Sequence, residues 1–202
     1  MDRETKSERS RRQVLDSALA LFSHQGYRAT SVREIADGAG VSTGSVYHHF
    51  PDKESIFRAL LDEYWALADS RRHPFIRALA TGTFPDNLEE LGLAARETVR
   101  RYRSYVALIY VDVIEFDGNH IRKFYGEMAQ RFATLMEQEG MLPDIRNRLR
   151  PGVSPVSAML LATRIFFNYY TVEILFGVPE PFGKESMEAL REIADILRNG
   201  MI

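Results

Sequence analysis

The chain is 202 residues long, with 45% hydrophobic and 27% charged residues, 13 Gly, 8 Pro and no cysteine. That length suits one large domain, or a small one beside a larger one, and excludes three. The composition is that of a folded chain, and the lack of cysteine excludes disulfide scaffolds, thiolate metal sites and cysteine nucleophiles. A formal net charge of −2 gives the whole molecule no general attraction for phosphate. Arg9, Arg11 and Arg12 nonetheless cluster just ahead of the first apolar helix pattern. The charged start, Met1 to Gln13, lacks the apolar core of a secretory signal, and Arg164, Asn168 and Glu173 interrupt the most apolar stretch, 156–177. The expectation is a cytoplasmic protein with no membrane partner.

Apolar residues recur at helical spacing along the chain and no stretch alternates long enough for a strand, so the predicted class is all-α. Val14, Ala18, Leu21 and Phe22 form the stripe of a first helix, about 5–25, which Gly26 ends. Ser31 and Glu34 make a capping box that opens a second helix, stopped by Gly38 or Gly40. Ser42 caps a third, through His49. Pro51 and Asp52 break the chain, and Lys53 opens a long fourth helix bearing Ile56, Leu60, Leu61, Tyr64, Trp65 and Leu67; Pro74 either kinks it or ends it. The Thr81-Gly-Thr turn, Pro85, Asp117-Gly118-Asn119, Gly140, Pro143 and Pro151-Gly152 then separate helices predicted near 86–103, 104–116, 119–139, 155–177 and 184–199.

Ser31 to Phe50, two short helices around a Gly-containing turn, reads as a helix-turn-helix. Ala36 is small where the helices cross, Val41 plugs the corner, and Val46 and Phe50 face inward. That leaves Thr43, Gly44, Ser45, Tyr47 and His48 outside, small and hydrogen-bonding residues suited to close approach to a major groove.

Gly26-Tyr27, Thr30 through Ala36, Ala39 through Phe50, and Asp52-Lys53-Glu54 together resemble the DNA-binding domain of the TetR family of bacterial transcriptional regulators, over about residues 10–60 without gaps. The resemblance implies an N-terminal three-helix DNA-binding domain, 1–52, and a larger C-terminal helical domain, 53–202, for ligand binding and dimerisation. It further implies a dimeric repressor on an inverted-repeat operator of double-stranded DNA, released by a small-molecule effector. Residue by residue, it implies that Tyr47 and His48 contact phosphates on either side of the groove and that Lys53 and Thr30 meet others. Thr43, Ser45 and Arg33 would reach base edges, Gly44 would let the backbone come close, and Ser42 completes the set. Hydroxyls and Lys are phosphate-positioning groups, and bidentate base readers are scarce here. Two readings stay open for Tyr47, which either meets phosphate or packs on the fourth helix, and for Arg9, Arg11 and Arg12, which either touch the DNA backbone or are solvated. His48 and His49 point about 100° apart on a helix and do not readily share a metal ion.

The ligand-binding candidates are Trp65, Tyr105, Asp112, Phe116, Arg164, Asn168 and Tyr169, aromatic or polar groups on otherwise apolar helices, with Tyr110 and Glu115 in the same run. Arg164 and Asn168 share a helix face and either meet an acceptor group of a ligand or pair with Asp112 or Glu115. The aromatic, apolar set points to a hydrophobic or amphipathic effector. The 155–177 helix is apolar on more than one face, so Phe166 and Tyr170, with Leu190, Ile193 and Leu197 of the last helix, are predicted to form the dimer interface. No metal site or cofactor is expected. No Gly-rich phosphate loop, nucleophile elbow or paired Glu-x-x-His motif occurs, so no catalysis is predicted. The rival reading is a helical ligand-binding or adaptor protein that no longer binds DNA, against which the intact Thr30, Tyr47, His48 and Lys53 set speaks.

Overall fold

A computed structural model describes residues 5–68, 70–80 and 83–201, so Thr81 and Gly82 of the predicted turn lie outside the described residues. Among the described residues the regular elements are all helical: α1 Lys6–Gln25, α2 Val32–Ala39, α3 Thr43–His49, α4 Lys53–Ala68, α5 Pro74–Leu79, α6 Leu88–Arg101, α7 Arg103–Glu115, α8 Ile121–Gln138, α9 Leu142–Arg148, α10 Pro155–Tyr170 and α11 Ser186–Met201. None of these helices is long and apolar enough to cross a membrane.

The helix ends have local causes. Thr5 and Glu8 close a capping box at the start of α1, and Ser31 and Glu34 close another at α2. Gly40, at φ 66° and ψ 32°, ends α2 in the left-handed conformation, its N–H donating to the Ala36 and Asp37 carbonyls. Pro74 neither kinks nor directly ends the fourth helix: α4 stops at Ala68, and Pro74 opens α5, a helix the sequence pattern did not announce. Pro143 likewise lies in the first turn of the unforeseen α9. Proline lacks the N–H that an opening turn leaves unsatisfied anyway, so each proline begins a helix here. The predicted 155–177 helix is interrupted, with α10 passing at Tyr170 into a π-helical turn, Thr171–Leu175.

The chain forms two compact units that do not divide at residue 52. The first consists of Met1–Ala66 with Ser104–Lys123, so α7 belongs with the N-terminal helices, and the second of Leu67–Arg103 with Phe124–Ile202. In the first unit, Val14, Ala18, Phe22, Ile35, Val46, Ile56, Phe57 and Leu60 are fully or almost fully buried. An aromatic cluster extends this core: Phe57 stacks on Phe116 at 4.9 Å, Tyr27 meets Phe116 at 4.5 Å, and Phe22 meets Phe57 edge-on at 5.6 Å.

In the second unit the core runs through Leu88, Leu91, Ala95 and Val99 of α6, Met159, Ala162, Phe166 and Tyr170 of α10, and Leu190, Ile193, Ala194 and Leu197 of α11. Gly92 makes this packing possible. A Cβ there would overlap Leu190 Cδ1 and stand 2.9 Å from Phe166 Cε1, and both side chains are fully buried. Gly92→Ala is therefore expected to lower stability by about 1–3 kcal/mol despite better helix propensity. Denaturant unfolding checks this, and a variant as stable as wild type would show that α6 can shift without cost.

Candidate nucleic-acid interface

The helix-turn-helix is held from within by short-range bonds. Val41 N–H donates to the Ala36 carbonyl at 3.0 Å, and the Ser42 hydroxyl accepts from Ser45 N–H at 3.1 Å. Ile35, Ala36, Val46 and Phe50 are buried, so α3 turns a defined face outward. On that face Ser42, Thr43, Gly44, Tyr47 and His48 are exposed, and Tyr47 is 54% accessible. Ser45 is half-buried, its hydroxyl 3.1 Å from that of Ser10 on α1. Arg33 stands almost free in solvent, 85% exposed, at the 4.0 Å limit of an ion pair with Asp37. Burial, together with the nearby His48 and Arg11, pushes the His49 imidazole below the ordinary histidine range.

Gly44 has a separate significance. A Cβ at this position would meet only Ser42 Oγ, at 3.8 Å, so no internal contact requires glycine there. Glycine inside a helix costs about 1 kcal/mol relative to alanine. Glycine is thus costly to α3 and internally unnecessary at this exposed position.

Two residues expected at phosphates are engaged internally. Thr30 is 1% exposed and donates its hydroxyl to the Gly26 carbonyl at 2.7 Å, so its side chain ties the α1–α2 turn and is not presented at the surface. Lys53 Nζ donates to the carbonyls of Tyr27 and Thr30, both at 2.7 Å, and lies 4.1 Å above the Tyr27 ring; one of its three N–H groups remains. Burial lowers the Lys53 pKa, while Glu115 and Glu34 oppose that shift. Among the leading arginines, Arg12 is committed to Glu63 at 2.5 Å and Asp16 at 2.7 Å, and Arg11 lies over the Phe50 ring at 5.1 Å.

Sequence patterns gave no sign of the role of Glu115. Its carboxylate accepts from Tyr27 N–H at 2.8 Å and Arg28 N–H at 2.7 Å, fastening the end of α7 to the turn between α1 and α2. Gly26, at φ 87°, admits that approach, since a Cβ there would stand 2.8 Å from Glu115 Oε1.

Glu34 gives the site an acid limit. The Ser31 hydroxyl and Ser31 N–H, with Gln25, hold its carboxyl below the usual range. A carboxyl lowered in the folded state stabilises above its unfolded pKa, and the contribution is lost as pH falls through the folded one. Amide protection at the start of α2 is expected to decline below about pH 4. Unchanged exchange in acid, measured by NMR, would refute this role for the box.

Residues 14–60 match the family model for bacterial regulatory proteins, tetR family. Over 157 residues the chain is 38% identical to the HTH-type transcriptional repressor KstR2 of Mycobacterium tuberculosis, covering 73% of this chain and 70% of KstR2. The chain belongs to the TetR family. The crystal structure of NalD, the secondary repressor of the MexAB-OprM multidrug efflux pump in Pseudomonas aeruginosa, shares the TetR-family fold over 98% of both chains, at a TM-score of 0.63 and 22% identity.

In this TetR-family chain the expected ligand residues are distributed between both units and mostly occupied. Tyr105, 8% exposed, stacks on Tyr64 at 5.5 Å, and Trp65 lies beside Tyr64 at 5.2 Å. Asp112 is fully buried, its two oxygens taken by His120 Nδ1 at 2.5 Å and Ile121 N–H at 3.1 Å. Phe116 belongs to the aromatic cluster around Phe57. These residues are part of the first unit's packing. In the second unit Arg164 and Asn168 lie on the exposed face of α10, while Tyr169 is buried. Phe166, Tyr170, Leu190, Ile193 and Leu197 are all at most 5% exposed within the single chain, where α6 packs against both α10 and α11. On α10 and α11 the large apolar residues left exposed are Leu161, at 50%, and Ile196, at 64%.

Proposed function

We propose that this TetR-family regulator is a repressor that binds an inverted-repeat operator as a dimer and is released by a small amphipathic effector. The observation that carries the reading is the outward face of α3, where Thr43, Gly44, Tyr47 and His48 are exposed and no internal contact calls for Gly44. The repressors KstR2 and NalD, similar to this chain, support it, and KstR2 of Mycobacterium tuberculosis is described as a ketosteroid transcriptional regulator. A single reading helix covers few base pairs, and a two-fold dimer doubles the contacts at about 34 Å spacing or more. Leu161 and Ile196 are the natural centre of that dimer contact, since burying them against a second copy removes apolar surface from water. The backbone passes between the two units at residues 66–67, 103–104 and 123–124. An effector that binds the second unit with different affinity in two states biases the first through those connections.

Selection of binding sites from random duplex DNA, at two salt concentrations, tests the reading. An enriched inverted repeat whose affinity falls steeply with salt supports it; no enrichment by folded protein stripped of bound small molecules overturns it. Gly44→Ala offers a sharper sign test. The variant is expected to gain up to about 1 kcal/mol in stability while losing operator affinity. Equal operator binding by this variant would remove the close-approach argument.

A further inference from the structure

Among the described residues of the second unit, Arg96 Nε on α6, Tyr169 Oη and Tyr170 Oη on α10, and Ser186 Oγ at the start of α11 are buried without a hydrogen-bond partner. Native interiors leave few such groups, and each calls for a cause. The four are neighbours. Burial raises the pKa of both phenols, that of Tyr170 to about 12, while the Arg96 charge and the Ser186 hydroxyl act on both in the opposite sense and Glu173 adds to the rise. Ser186 Oγ thus lies near both phenols without completing a hydrogen bond to either. The three hydroxyls can donate and accept, whereas the Arg96 Nε–H can only donate, so Arg96 is the member of the cluster that calls for an acceptor.

Arg96 also faces outward, lining a groove of about 450 Å³ with Leu93, Glu97, Arg100 and Arg101. Its one carboxylate, Glu97, is paired with Arg77 at 3.9 Å, and Arg101 lies over the Tyr102 ring. Arg96 and Arg100 have no carboxylate partner among the described residues. A bound water would satisfy a donor or two but would leave both guanidinium charges unbalanced. An anion answers both deficits, and guanidinium is the side chain best matched to carboxylate or phosphate.

We propose that this groove is an anion subsite for the effector: Arg96 and Arg100 bind the carboxylate or phosphate of a small amphipathic molecule. The proposal rests on the effector reading above and gives that effector its charged end. It also moves the acceptor-binding role from Arg164, which is exposed on α10, to α6.

Calorimetric titration of the full chain with sodium octanoate and with inorganic phosphate, against sodium chloride at matched ionic strength, tests it. Binding of either supports the subsite, with octanoate alone assigning a carboxylate and phosphate alone a phosphate ester. Arg96→Gln is expected to weaken binding about tenfold or more. If Arg96→Gln does not fold, Arg100→Gln at its exposed position carries the same expectation. Failure of both anions to bind at millimolar concentration, or wild-type binding by a folded Arg96→Gln or Arg100→Gln, overturns the proposal. Operator binding measured in the same buffer keeps the two readings apart: operator binding without anion binding overturns the subsite alone, and the reverse overturns the regulator reading alone.

Discussion

Tyr47→Ala is expected to lower operator affinity by about tenfold to a hundredfold while leaving stability within about 0.5 kcal/mol of wild type. The separation comes from its position. The ring stands 54% exposed on α3, with Val46 before it carrying the helix's attachment to the core, so truncation removes little internal packing. Gel shift or fluorescence anisotropy on the selected operator, beside denaturant unfolding, checks both halves. Tyr is uncharged, so the dependence of affinity on salt is expected to stay nearly the same even as affinity falls. Tyr47→Phe locates the effect: a loss close to that of alanine assigns it to the hydroxyl and a phosphate oxygen, and retention assigns it to the ring. A Tyr47→Ala protein that binds operator like wild type would leave α3 without its proposed role.

The second large effect is expected far along the chain, at Glu115. Removing this carboxylate by Glu115→Ala leaves the N–H groups of Tyr27 and Arg28 without their acceptor. Hydrogen bonds to a charged group contribute about 1.5–3 kcal/mol each, and the Arg28 side is open to water, so the expected cost is about 2–4 kcal/mol. Hydrogen exchange at those two amides is expected to accelerate, and operator affinity to fall with the loosened turn. Glu115→Gln, which keeps one acceptor oxygen, is expected to recover roughly half. Native exchange rates at Tyr27 and Arg28 in Glu115→Ala would show that water replaces the carboxylate without loss.

What could be read from the sequence was what neighbouring residues decide among themselves. Ser31 with Glu34, Gly40, and Ser42 place α2 and α3 through bonds spanning three or four residues, and the pattern of Ile35, Ala36, Val46 and Phe50 fixes which face is left for DNA. Prolines misled because one residue type serves two opposite ends: Pro74 and Pro143 read as breaks, yet each is preorganised for a first helical turn. The bond from Glu115 to Tyr27 spans 88 positions and has no local signature. The apolar width of α10 announced that Phe166 and Tyr170 would be buried, without saying whether a second copy or the chain's own α6 would bury them. Thr30 and Lys53 have the chemistry of phosphate contacts, but the carbonyls of Gly26 and Tyr27 that engage them come into reach only once the turn has folded.

The inclusion of Ser104–Lys123 in the first unit has a practical consequence for modular engineering. A DNA-reading fragment cut after residue 66 would lack Phe116, which covers Tyr27 and Phe57, and the carboxylate that fastens the α1–α2 turn. Such a fragment would expose an aromatic face and be prone to aggregate. A chimera that transplants this reading head onto another sensor must therefore carry α7 and the loop after it as a second, non-contiguous graft, or supply a foreign helix with an acidic residue and an aromatic at the same two places.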